Sequence, residues 1–213
     1  HRENRPFLPG IKLPDNLAFS ADPQAACQSA DLIVSVVPTQ FLRSVALRFE
    51  QFLGDSVPII SATKGLEIET MKSPTSILLD VLGKRDIGVL TGPSHAEEVA
   101  LGKPASVVAA SESIDLANKA QEAFNCPSLR VYTSTDRSGA ELAAALKNVI
   151  ALAAGISDGL ELGDNAKAAL LTRGMVEMAR YGKAHGADSS TFFGLAGFGD
   201  LVTTACSQHS RNR

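Results

Sequence analysis

Cysteine is scarce in this chain and clustered nowhere. Cys27, Cys126 and Cys206 are odd in number and show no C-x-x-C spacing, which argues against a disulfide framework and against a zinc site. His1, His95, His185 and His209 are equally scattered, so no metal centre is expected. Neither charge dominates: 20 Lys and Arg stand against 23 Asp and Glu, both signs interspersed. That balance leaves no basic footprint for nucleic acid. No apolar run approaches bilayer-spanning length and no signal-peptide pattern opens the chain, so stable membrane insertion is not expected. A reducing, cytoplasmic setting is the expectation.

Apolar material is ample. A hydrophobic content of 45% over 213 residues can supply the core of one large domain or two small ones. The ends read as abnormal: the chain starts at His1 rather than methionine and stops on the charged run Ser210-Arg-Asn-Arg213. An interior piece of a longer protein is therefore expected.

Residues 1–23 are rich in proline and polar groups, and Leu8-Pro-Gly10 reads as a turn. A short helix is expected from Pro23 to Ser29. Asp31-Leu-Ile-Val-Ser-Val-Val37 is then an almost unbroken apolar run of strand length, stopped by Pro38. Both its faces should be buried, as in a parallel strand covered by helices. The alternation continues with a helix over 39–53, a strand over Val57–Ser61, a helix from Pro74 to Leu82 and a strand over Ile87–Leu90. A short helix opens at Ser94, where Ser94 and Glu97 have capping-box spacing. A strand over Ala105–Ala110, a helix over 113–125 and a strand over Leu129–Tyr132 follow. This βαβ alternation predicts a doubly wound parallel sheet.

From Ser138 the pattern is helical only. Ser138 and Glu141 have capping-box spacing, a helix is expected over Asp164–Ala184 with Leu171, Met175 and Met178 on one apolar face, and another follows Asp188. A boundary near residue 135 thus divides an α/β unit, 1–135, from a helical one, 136–213.

Lys147 is the only cation between Arg137 and Lys167, in the middle of an Ala/Leu-rich helix. Such an ammonium either snorkels to water or sits in a partly dry site, where desolvation lowers its pKa and fits it to exchange protons with a reacting group. Three polar segments, Pro38-Thr-Gln-Phe41, Thr63-Lys-Gly65 and Thr91-Gly-Pro-Ser94, each follow an apolar strand. In an open parallel sheet they crowd one edge, where ligands bind. They read either as a site for an anionic ligand, with Lys64 supplying charge, or as ordinary turns. Gly194-Leu-Ala-Gly-Phe-Gly-Asp200 is glycine-dense but lacks phosphate-fingerprint spacing, and reads alone as a flexible connection. Ser210-Arg-Asn212 offers a hydroxyl, a guanidinium and an amide suited to phosphate. His95 is expected to be structural, and Asp158, Glu161 and Asp164 to be solvated.

Taken in order, Phe7-Leu-Pro-Gly10, Pro38-Thr-Gln-Phe41, Ala62-Thr-Lys-Gly-Leu-Glu67, Thr91-Gly-Pro-Ser94, Leu146-Lys-Asn-Val149, Gly197-Phe-Gly-Asp200 and Ser210-Arg-Asn-Arg213 closely resemble the NAD(P)-dependent sn-glycerol-3-phosphate dehydrogenases, more the bacterial form than the animal one. The resemblance runs over essentially the whole chain. It implies a Rossmann-type sheet followed by a helical substrate domain, both truncated. The first strand with its G-x-G-x-x-G turn would lie before His1, and the rest of the helical domain after Arg213. These residues alone are therefore expected to be inactive.

The resemblance also implies roles. Lys147 would be the proton donor and acceptor at the C2 oxygen of the substrate, and Lys64 would lie beside both cofactor and substrate. Gly92 and Ser94 would touch the glycerol phosphate, with Asp200, Ser210, Arg211 and Asn212 holding it from the helical side. Phe41, Ala96 and Arg211 would contact the cofactor, NAD or NADP. The other partner implied is the small molecule glycerol 3-phosphate or dihydroxyacetone phosphate, and a homodimer stays open. Two rivals are another Rossmann-plus-helical dehydrogenase of the β-hydroxyacid type, which would lack Ser210-Arg-Asn212 at this spacing, and a nucleotide-sensing module without turnover.

Overall fold

The computed structural model describes residues 2–54 and 56–207. Among them, five strands form one sheet in the order β1 (Ile33–Ser35), β2 (Ile59–Ser61), β3 (Ile87–Thr91), β4 (Ala105–Ser111) and β5 (Leu129–Ser134). Short helices α1 (Pro23–Cys27) and α4 (Ala96–Ala100) and longer ones α2 (Thr39–Phe49), α3 (Pro74–Leu82) and α5 (Ile114–Phe124) lie between them. Leu42, Ile77 and Leu78 from α2 and α3 pack with Ile59 and Ile87 on one face of the sheet. Leu116 and Ala120 from α5 pack with Ile60, Val107 and Val131 on the other. Every residue of β2 is buried. This is the covered, Rossmann-type sheet that near-continuous apolar strands imply, and burying one such Ile or Leu side chain contributes about 1.5–3 kcal/mol.

Two features depart from the sequence reading. Strands β1, β2 and β3 run parallel, and β4 runs parallel to β5, but β3 and β4 are antiparallel, with Leu90 opposite Ala109. The reason lies in the connection. The link, residues 92–104, holds only the five-residue α4, short of the covering helix by which parallel neighbours are usually joined. The chain therefore turns and re-enters the sheet from the same end. The second departure is β1, expected to be buried on both faces: it is the edge of the described sheet, and Val34 and Val36 are exposed.

Among the described residues, helices alone follow β5. The long helix α6 (Arg137–Gly159) is succeeded by α7 (Asp164–Ala184), α8 (Ser189–Phe193), a π-helical turn (Leu195–Gly199) and α9 (Asp200–Cys206). Ala143, Ala151 and Ala154 of α6 pack with Met175, Met178, Phe192 and Leu201, so small side chains on α6 let the other helices approach closely. A further cluster joins sheet to helices: Val89 and Ala110 meet Ala140 of α6 and Ala196 of the π-turn. Lys167 ion-pairs with Asp158 at 2.7 Å, so Asp158 is not simply solvated as expected.

The start of α6 also corrects an expectation. Its first turn is capped by Asp136, which accepts from the Gly139 amide at 2.9 Å, and not by a Ser138/Glu141 box. The 23 residues of α6 are, by length and composition, apolar enough to cross a bilayer, contrary to the reading that no run approaches that length. The most apolar 18-residue window of it is 44% buried, and the buried residues of the helix include the ionisable Glu141 and Lys147.

Candidate active site

The carboxyl ends of β2 and β3 bring Lys64 and Gly92 together. Thr39, at the start of α2, donates its hydroxyl to the Lys64 carbonyl at 3.0 Å, and the Thr63 hydroxyl donates to the Val37 carbonyl at 2.7 Å. These bonds pin the segment after β2 against the end of β1. Further along, the Glu67 carboxylate accepts from Arg43 Nε and Nη2 at 2.9 and 2.8 Å, and from the Thr70 hydroxyl. The Arg43 guanidinium and the Thr70 hydroxyl hold that carboxyl down at about 2. Gly92 is required where it stands. Its φ is +138°, and an added Cβ would meet Val107 Cα at 3.0 Å. Lys64 Nζ and Ser94 Oγ both donate to its carbonyl at 3.2 Å. Ser94 spends its hydroxyl there, and α4 has His95 as its N-cap, without the expected Ser94 capping box.

The helical side supplies the counter-charge. Gly194–Gly199, read as a flexible connection, is instead helical through most of its length. Gly197 packs so tightly that an added Cβ would fall 2.0 Å from the Phe192 carbonyl oxygen. Such π-turns recur at functional sites, and this one delivers Asp200 as the first residue of α9. The Asp200 carboxylate, 3% exposed, accepts from Lys147 Nζ through Oδ1 at 2.5 Å and from Lys64 Nζ through Oδ2 at 2.6 Å. Lys147, 5% exposed, also donates to Thr204 Oγ1 at 2.7 Å. Burial lowers the Lys147 pKa from the ordinary lysine value and the neighbouring Lys64 charge lowers it further, while Asp200 opposes both. Lys147 is therefore the partly dry ammonium, not the snorkelling one. Two cations sharing one buried carboxylate form a positively charged pocket that holds a proton loosely.

A groove of about 360 Å³ opens beside Lys64, lined also by Ala62, Thr91, Ser94, Ala96 and Val107. A wider cleft of about 600 Å³ lies beyond Ser94, along His95, Cys126 and Arg130, and holds neither lysine. The groove that Lys64 lines is the one joined to the Asp200 cluster. The structure thus brings together Lys64, Gly92, Ser94, Ala96, Lys147 and Asp200. Phe41 stands apart, exposed on the first turn of α2 and outside the groove lining. Ser210, Arg211 and Asn212 lie outside the described residues.

Sequence reasoning missed three groups. Thr204 stands four residues after Asp200, on the same face of one helix, a spacing that could have revealed it. Thr91 lines the groove, and its buried hydroxyl has no hydrogen-bond partner among the described residues. Glu141, assigned to a cap, is buried against α3.

Residues 1–117 match the family model described as the NAD-dependent glycerol-3-phosphate dehydrogenase N-terminus, and residues 136–213 the model described as its C-terminus. Over its whole length the chain is 50% identical to the glycerol-3-phosphate dehydrogenase [NAD(P)+] of Thermus thermophilus and 47% identical to that of Chlorobium limicola. A crystal structure of glycerol-3-phosphate dehydrogenase from Coxiella burnetii superimposes on 99% of it with a TM-score of 0.94 at 36% identity. The chain spans about 65% of the length of each of these proteins.

Proposed function

Because the chain belongs to the NAD-dependent glycerol-3-phosphate dehydrogenase family, we propose that it interconverts sn-glycerol 3-phosphate and dihydroxyacetone phosphate in the cytoplasm with NAD or NADP, supplying glycerol 3-phosphate for phospholipid synthesis. The observation that carries this reading is the buried Lys147–Asp200–Lys64 cluster. Residues 1–135 would hold the dinucleotide and residues 136–213 would supply substrate contacts and the proton.

The groove beside Lys64 suits a cofactor edge: Ala62, Ala96 and Ala100 leave room in its wall, and the Thr91 hydroxyl has no partner among the described residues. Phe41, Lys64, Ala96 and Arg211 would hold the cofactor, whose nicotinamide supplies or accepts a hydride when bound. The chain's own work is with the proton. Lys147, protonated, gives a proton to the C2 oxygen during reduction, and neutral Lys147 takes it back from the C2 hydroxyl during oxidation. Asp200 and Thr204 aim Nζ by accepting two of its hydrogens, leaving one for the substrate. Lys64, Gly92 and Ser94 face the phosphate-bearing substrate from the sheet side, and Ser210, Arg211 and Asn212 hold it from the helical side.

The test is a chimera in which this chain replaces the matching stretch of the Thermus thermophilus relative, assayed for NADH and NADPH oxidation with dihydroxyacetone phosphate. Turnover with at least one coenzyme is expected. A folded chimera that oxidises neither overturns the reading.

Arg211 carries a separate prediction. A guanidinium grips a phosphate through two parallel hydrogen bonds that an ammonium cannot reproduce. Arg211→Lys in the chimera should raise the KM for dihydroxyacetone phosphate by about tenfold or more, the worth of one charged hydrogen bond. Unchanged KM and kcat would remove Arg211 from the phosphate site.

A further inference from the structure

One buried acid is left unused by the chemistry above. Glu141 lies two helical turns before Lys147 on α6 and is 5% exposed. Its carboxylate reaches away from its own helix to the first turn of α3. There it accepts from the Thr75 amide at 2.9 Å, from the Ser73 hydroxyl at 2.9 Å and from the Thr75 hydroxyl. Ser73 is itself the N-cap of α3, accepting from the Ser76 amide, and Pro74 follows at the first helical position. A carboxylate at a helix N-terminus meets both unpaired amides and the positive end of the helix dipole. An acid borrowed from another helix, 66 residues away, thus completes the cap of α3.

What α3 is attached to makes this more than a cap. The segment leading into it begins at Lys64 and runs through Glu67 and Lys72. Glu67 ties the middle of that segment to Arg43 on α2, and Lys72 pairs with Asp80 on α3 itself. Both bonds stay inside the sheet unit. The bond from Glu141 leaves it, and it starts on the helix that carries Lys147. The ion pair from the first turn of α6 to the sheet unit, Arg137 to Glu112, ends on an exposed side chain and contributes little.

We propose that Glu141 is a positioning residue: by clasping the first turn of α3 it sets the spacing between Lys64 and Lys147 around Asp200. The idea rests on the dehydrogenase reading only for its meaning in catalysis; the clasp is independent of it. Its physical effect is to hold two ammonium groups closer than they would settle unaided. Lys147 faces Lys64 from the segment after β2 and Asp200 from α9, and Glu141 faces Arg137 one turn earlier on α6. Loosening the clasp lets Lys64 withdraw and water enter. Both changes remove influences that lower the Lys147 pKa, so its titration must move up.

The experiment follows each lysine by its ¹³Cε resonance as pH is raised, in this chain without substrate, with Lys147→Arg to assign the signal. In the parent chain the Lys147 midpoint should lie below those of exposed lysines. In Glu141→Leu it should move upward. In Glu141→Gln, which keeps a carbonyl for the Thr75 amide, it should move less. In the chimera Glu141→Leu should lower kcat by about 10²-fold, the cost of roughly 1 Å of misplacement, with a smaller change in the coenzyme KM. An unmoved midpoint in folded Glu141→Leu overturns the proposal and leaves Glu141 merely structural. Should that variant not fold, Thr75→Val opens the clasp from the other side and is read by the same criterion. A shifted midpoint in a chimera without turnover would sustain the clasp and sink only the dehydrogenase reading.

Discussion

Replacing Lys147 with alanine should lower the rate of dihydroxyacetone phosphate reduction by about 10²–10⁴-fold, the usual worth of a positioned general acid. The coenzyme Kd should change far less, since Lys147 does not line the groove beside Lys64. The pH profile gives a second check. Reduction needs Lys147 protonated, and burial beside Lys64 lowers its pKa. The rate should therefore fall as pH rises through a midpoint below the ordinary lysine range, and that limb should vanish in the alanine variant. Near-normal turnover, or a residual limb at the same pH, would assign the proton to another group. Steady-state rates in the chimera, measured against pH with saturating coenzyme, decide it.

The largest effect on stability is expected at Asp200. Its carboxylate is the shared counter-ion of two lysines, one of them buried with it. Removing one member of a buried pair leaves the other uncompensated and costs about 3–5 kcal/mol. For a protein of this size each kcal/mol corresponds to about 2–4 °C in Tm, so Asp200→Ala should melt roughly 6–20 °C below the parent. The deficit also has a sign with pH. Without Asp200 nothing opposes the burial and repulsion that lower the Lys147 pKa, so the folded variant binds fewer protons than its unfolded chain over the pH range between the two pKa values. Stability then rises with pH in that window. The gap between variant and parent should be widest near neutrality and narrow in alkali as Lys147 sheds its proton. Thermal melts from neutral to alkaline pH measure both quantities. A deficit under 1 kcal/mol, or one that widens in alkali, would show that the lysines are not held by this carboxylate.

The layers of this fold were legible because apolar runs are local. Ile59-Ile-Ser61 is short, continuous and apolar, and it is the fully buried β2. The direction of β4 was not legible. Parallel and antiparallel strands bury the same side chains, and only the length of the link through α4 separates them. The two capping boxes failed for a related reason. Ser94 and Glu141 have the right spacing, but each found a better partner, the Gly92 carbonyl for one and the start of α3 for the other. Spacing lists what a side chain can do locally and is silent on distant competitors. Lys147 was legible as an anomaly, a lone cation on an apolar helix. Its burial and its partners were not, because Asp200 arrives from 53 residues away. The π-turn that delivers Asp200 was hidden by its glycines, which read as looseness, yet Gly197 serves close packing against Phe192.

Asp200 bridges chain positions 136 residues apart when it holds Lys64. Closing so long a loop is entropically costly, and the packing of the helices on the sheet through Ala140 and Ala196 holds its two ends together. Without that docking the helical unit keeps the Lys147–Asp200 pair but lacks Lys64, the second cation, whose charge helps lower the Lys147 pKa. The three-membered cluster is thus a property of the two units together and of neither by itself.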